Sequence, residues 1–229
     1  MASYNFKIKH FLFYLLMITN FFSVPTPFTS AISFNFTNFT SGDSRITYDR
    51  AFPENQVIQL TGNLVRTQLV GRATYFNPMH LWDKASGNLT DFTTHFSFVI
   101  DSQNNTIYGD GLAFFLAPTA TGSTVPNPAT KGSSLGLTTD DQTLNSTDNH
   151  FVAVEFDIFQ NKPWDAPGEH VGIDINSMLS VANVSWSRAN IAITQGRTNE
   201  AQIYIYIIAK SHIEMHRIAT RGTNPYLLS

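Results

Sequence analysis

The chain has 229 residues, 14 Lys+Arg against 17 Asp+Glu for a net charge of −3, and no cysteine. This excludes disulfides, cysteine-ligated zinc and thiol catalysis, and leaves no basic excess to neutralise nucleic-acid phosphates. Charged residues make up only 14% and aromatic residues 13%, with 19 Phe, the reverse of a disordered composition.

A weakly basic start with Lys7, Lys9 and His10 leads into an apolar run over 11–24. Pro25, Pro27 and the small residues Thr29, Ser30 and Ala31 follow. This order predicts a secretory signal over 1–30, cleaved near Ser30 or Ala31. A membrane anchor is the competing reading, but the run is shorter than the ~20 apolar residues a span needs. No other segment is long and apolar enough, so no membrane span is expected after cleavage. Six Asn-x-Ser/Thr sequons, at Asn35, Asn38, Asn88, Asn104, Asn145 and Asn183, agree with a secreted glycoprotein of the cell exterior or the vacuole. Asn35 and Asn38 are too close for both to carry glycans.

From 31 to 208 the pattern is that of strands. Residues 32–39 start with Ile32, Phe34 and Phe36 alternating against Ser33, Asn35 and Thr37. Further strands are expected over 57–60, 73–76, 92–100, 111–116, 151–159, 170–175, 189–194 and 201–208. Gly, Pro, Asn and Asp clusters separate them. Short strands with turn residues between them predict one antiparallel sandwich or barrel. Residues 209–229 lose the alternation and read as an atypical tail.

The chemistry concentrates in 152–177. Side chains two apart on a strand share a face, so Glu155 and Asp157 lie side by side, and like charges there repel unless a cation intervenes. Asn161, Asp165 and His170 follow in a Pro/Gly-bearing loop that can fold back over that face. Glu155, Asp157, Asp165 and His170 form an oxygen-rich set with one imidazole, suited to Mn²⁺ or a similar first-row metal. Asp157, Asn161, Asp165 and a backbone carbonyl such as that of Phe159 form an all-oxygen set, suited to Ca²⁺. The alternative is an acidic strand end with a solvated loop. Trp164 reads as a packing residue, Phe114 and Phe115 as facing opposite sides of one strand, and Asp174 as a buried hydrogen-bonding group. His80, His95 and His150 lack carboxylates at ligand spacing.

The stretch 152–177 resembles the metal-binding motif of the legume (L-type) lectins. Residues 108–118, Tyr-Gly-Asp-Gly-Leu-Ala-Phe-Phe-Leu-Ala-Pro, resemble that family's sugar-site strand, and 31–39 its mature N-terminus. The resemblance implies an all-β jelly-roll sandwich with Ca²⁺ and Mn²⁺ behind a shallow saccharide site. It implies that Asp110 accepts hydrogen bonds from sugar hydroxyls, that Asn161 serves both Ca²⁺ and sugar, and that the Phe159 ring stacks on the pyranose. A cis peptide before Asp110 is implied as well. Ser133 stands where the family's glycine offers its backbone N–H, and Gly109 stands where alanine is commoner. The family continues with further strands after 208, so the resemblance implies an incomplete lectin domain over 31–208 with C-terminal strands missing. Its partners would be glycans and glycoproteins, and chains would pair into a homodimer through the back sheet at the 32–39 edge.

The function implied is non-catalytic carbohydrate binding. A non-binding remnant, or a defence or storage relative, is the alternative that the C-terminus favours. A jelly-roll glycoside hydrolase would need paired carboxylates at about 5–5.5 or 6.5–9.5 Å. Glu155 and Asp157 match such a strand only superficially, because Phe159 and Gln160 stand where a further Glu is needed.

Overall fold

The computed structural model describes residues 32–62, 69–83, 86–118, 132–139, 142–186, 194–209 and 212–220, with backbone alone at 207–209 and 212–220. The expected signal over 1–30, residues 189–193 of one expected strand, and part of the tail lie outside the described residues. The chain divides into two compact units at Asn35, and every described strand belongs to the second, Phe36–Ser229.

The strands in chain order are β1 (Ile46–Asp49), β2 (Phe52–Glu54), β3 (Val57–Gln59), β4 (Arg72–Tyr75), β5 (Phe92–Asp101), β6 (Gly111–Leu116), β7 (Val152–Asp157), β8 (His170–Ile175), β9 (Ala182–Ser185), β10 (Gln195–Ala209) and β11 (His212–Thr220). One 3₁₀ turn, Gly132–Ser134, is described. β6, β7, β8 and β9 form a four-stranded sheet in that order, and β11, β10 and β5 a three-stranded one. β1 pairs with β4 and β2 with β3, and all these pairings are antiparallel. The chain is thus all-β, as its turn-punctuated alternation predicts.

Alternation decides which side chains enter the core. On β5, Phe92, Phe96 and Phe98 point inward while Thr93, His95, Ser97 and Val99 are exposed. They meet Val152, Val154 and Phe156 of β7, Val171 and Ile173 of β8, and Ala201, Ile203 and Ile205 of β10. Phe156 is fully enclosed, with its ring centroid 4.8 Å from that of Phe98 and 6.0 Å from that of Trp186. Burying such a side chain contributes roughly 1.5–3 kcal/mol.

β7 is buried on both faces. Its other face carries Ala153, packed with Leu137, Phe151 and Met178, and then Glu155 and Asp157. Trp164 packs against this second cluster, and Phe114 and Phe115 divide between the two clusters, as their sequence positions imply.

Three expectations are corrected. Residues 32–40 form no strand, although their side chains alternate. Alternation selects a face, but only a hydrogen-bonded partner makes a strand. No edge at 32–39 is therefore present for the homodimer pairing that the resemblance implied. The expected strand at 151–159 stops at Asp157, where Phe159 N–H turns back to Asp157 Oδ1 at 2.7 Å. Finally, the stretch read as an irregular tail holds β11, antiparallel to β10 from Ala201↔Thr220 to Ala209↔His212. β10 has β5 on one edge, and its other row of N–H and C=O groups pairs with the chain that follows whatever the side-chain period.

Candidate functional site

The β7–β8 register sets His170 opposite Asp157 and Gly172 opposite Glu155. A Cβ at Gly172 would overlap Glu155 Oε1 and Ser180 Oγ, so the missing side chain leaves room for the carboxylate beside its neighbour strand. The ligand atoms of Glu155, Asp157 and His170 lie within 4.8 Å of one another, and all three residues are buried. His170 Nε2 is 3.3 Å from Glu155 Oε1 and 3.6 Å from Asp165 Oδ1. His170 Nδ1 lies 2.9 Å from Gly168 C=O, which places the donated proton there and aims Nε2 at the carboxylates. The Ser180 hydroxyl donates to Glu155.

Burial raises the Asp157 carboxyl to about 8, with the charges of Asp165 and Glu155 adding to it and the Phe159 N–H opposing it. Burial also raises Asp165, against the Asp165–Asn161 backbone hydrogen bond. His170 is lowered by burial but raised more by Glu155, Gly168 and the nearby carboxylates, and reaches about 9. Asp174 is fully buried, and burial followed by the neighbouring Glu155 pushes its carboxyl well up. Hydrogen bonding with the Glu155 and Ser180 side chains also acts on its proton, in keeping with the buried hydrogen-bonding role expected of it, although neither oxygen is in close hydrogen-bond geometry.

Acids thus outnumber the one imidazole in a space closed to water. The loop after β7 adds a further sign. Asn161 N–H donates to Asp165 Oδ2 at 2.9 Å, and Asn161 Nδ2 donates to Asp110 Oδ1 at 2.7 Å. Its Oδ1 is buried with no hydrogen-bond partner. A buried acceptor without a donor is costly, and a cation satisfies it. The residues present therefore fit bound cations: carboxylates and an imidazole on one side, carboxylates and an amide oxygen on the other.

Asp110 follows the cis Gly109–Asp110 bond and precedes β6. Its C=O accepts from Ile158 N–H at 2.9 Å, which ties it to the end of β7. Burial raises its carboxyl, with Asp165 adding to the effect. Phe159 is 47% exposed, so its ring is open to a ligand. A Cβ at Gly109 would sit 3.1 Å from Phe159 Cβ, so this glycine eases the packing of ring against loop. The 3₁₀ turn places Ser133, half-buried, beside Gly132, whose backbone lies against Asp110.

The fold brings together Glu155, Asp157, Asp165 and His170, and next to them Asp110, Phe159, Asn161 and the 132–133 backbone. Sequence reasoning passed over Gly132, Gly172 and Ser180. A glycine inside an apolar strand signals a close approach, and Gly172 carried that signal; Ser180 gave none. His95, exposed, lies 3.9 Å from the half-buried Glu200 across β5 and β10, outside this region.

Residues 31–226 match the sequence model of the legume lectin domain. Agglutinin-2 of Cladrastis kentukea is 41% identical over 170 residues, covering 71% of this chain and 57% of that protein. Seed agglutinin 2 of Robinia pseudoacacia is 39% identical over 199 residues, covering 83% and 67%. The chain therefore spans between about half and two thirds of the length of these relatives. Among solved structures, the metal-free form of lectin I-B4 from Griffonia simplicifolia superposes with a TM-score of 0.72 at 29% identity, covering 86% of this chain and 82% of that one. A domain match over most of the residues and a shared sandwich agree with the motifs at 108–118 and 152–177: the chain belongs to the legume lectin family.

Proposed function

We propose that the chain is a non-catalytic lectin that binds saccharides of glycans and glycoproteins at Asp110, Phe159, Asn161 and the Ser133 backbone. One observation carries this reading. Asn161 uses its Nδ2 to hold the Asp110 carboxylate and leaves its buried Oδ1 for a cation. A charged acceptor fixes sugar hydroxyls, and an exposed ring beside it matches the apolar C–H face of a pyranose. Glu155, Asp157, Asp165 and His170 would hold Mn²⁺. Asp157, Asn161, Asp165 and the Phe159 carbonyl would hold Ca²⁺. Bound there, the cations would neutralise the buried carboxylates and fix the loop that carries Phe159 and Asn161.

Hydrolysis is disfavoured because Glu155 and Asp157, the only carboxylates spaced for it on β7, are buried against His170 and closed to a substrate. Entry into the secretory route, glycosylation and a location outside the cell or in the vacuole belong to this proposal as well, as does homodimerisation by a back-sheet contact other than a strand at 32–39. The test is retention of the chain on immobilised galactose and mannose with Ca²⁺ and Mn²⁺, repeated after EDTA. Retention that EDTA abolishes supports the proposal. A folded chain that passes through both matrices unretarded opposes it.

A further inference from the structure

The Asp110 carboxylate is held on two sides. Asn161 Nδ2 takes Oδ1 at 2.7 Å. On the other side Oδ2 lies against the backbone of Gly132, so close that a Cβ built there would overlap it, with Asp110 Cγ at 3.1 Å. The overlap involves the carboxylate alone, because Asp110 Cβ would be 3.8 Å away, an ordinary contact. The carboxylate cannot swing clear without losing the Asn161 amide, and it sits on a residue tied to β7 through Ile158.

Resting on the saccharide-binding reading above, we infer that Gly132 is a positioning residue of the site, and that its missing side chain lets the Asp110 carboxylate take the one orientation in which Asn161 holds it. Gly132 touches no sugar in this account. It acts by leaving the space that the acceptor needs, which separates its role from that of its neighbour Ser133, whose backbone N–H faces the ligand in the proposed site. Any side chain at 132 turns the acceptor away, and hydrogen bonds to an ionised group depend steeply on that geometry.

Two measurements test this on the full chain. Gly132→Ala is compared with wild type for affinity to galactose and mannose, and for the rise in melting temperature on adding Ca²⁺ and Mn²⁺. The expected result is saccharide affinity weaker by about tenfold or more, the scale of one displaced charge-assisted hydrogen bond, with the metal-induced rise retained. Gly42→Ala is the control, because a Cβ there meets nothing within 4 Å. The second measurement is a double-mutant cycle on stability, which needs no sugar binding at all. Gly132→Ala lowers the melting temperature in the wild-type background and loses most of that effect in Asp110→Ala, where the overlapping group is gone. An equal loss in both backgrounds, or affinity unchanged by Gly132→Ala, overturns the inference. Failure of the wild type to bind any saccharide would count against the functional reading, while the stability cycle would still decide the role of Gly132.

Discussion

Asn161 joins the two halves of the proposed site through one side chain. Its amide nitrogen donates to Asp110 and its oxygen is buried without a donor, so the halves are separable by substitution. Asn161→Asp keeps an oxygen for a cation but replaces the donor to Asp110 with a like charge. Saccharide affinity should fall by roughly tenfold to a hundredfold, the worth of a hydrogen bond to a charged group, while Ca²⁺ and Mn²⁺ still raise the melting temperature. Titration of both ligands on one sample checks this; loss of the metal response together with the sugar would mean the two halves are not separable. Phe159→Ala removes only the exposed ring and spares the backbone carbonyl. An aromatic contact is worth about 0.5–1.5 kcal/mol, so the saccharide titration should weaken several-fold, and Ca²⁺ affinity should hold. That Asp110, Phe159 and Asn161 belong together was legible in the sequence because they lie in recognisable motifs, and the fold brings Asn161 onto Asp110. Gly132 was not, because its meaning depends on Asp110, which is distant in the chain and reaches it only through the fold.

At the scale of elements, β7 carries the site because both its faces are buried for different reasons. Val152, Val154 and Phe156 anchor it between the sheets, and that anchoring fixes where Glu155 and Asp157 point. Phe156→Ala should cost about 3–5 kcal/mol, read as a lower urea midpoint, and should also weaken metal binding by loosening the strand. A lower midpoint with unchanged metal affinity would show that the loop alone sets the cation geometry. Such a strand is easy to read, since its period of two and its paired acids reinforce one another. The strands that escaped reading lack that support. β1, β2 and β9 have three or four residues each, too few for a period to show, and β11 owes its existence to the free edge of β10. The opposite error at 32–40 has the same origin: alternation there has no ladder to join.

At the scale of the whole molecule, the buried acids tie folding to pH and, in the proposed site, would tie it to metal. Without metal, Asp157 holds its proton up to about 8, against 3.8 when unperturbed. Its contribution to stability is therefore complete below about pH 4 and is lost as pH rises through 8. His170, raised from 6.5 to about 9, behaves alike: its contribution is full below pH 6.5 and fades as pH rises through about 9. Both groups make the metal-free fold weaker in alkali. Metal binding at the proposed site would have the opposite dependence, because it would need Asp157 ionised and His170 neutral and so would release the protons that the metal-free fold retains. The melting temperature of EDTA-treated protein should fall between about pH 5 and pH 8.5, and the rise produced by Ca²⁺ and Mn²⁺ should be larger at the higher pH. Thermal melts at the two pH values, with and without metal, measure both slopes. A metal-induced rise that is the same at both, or larger in acid, would mean that these carboxylates and this imidazole do not hold the cations, and the site would have to be sought elsewhere on the sandwich.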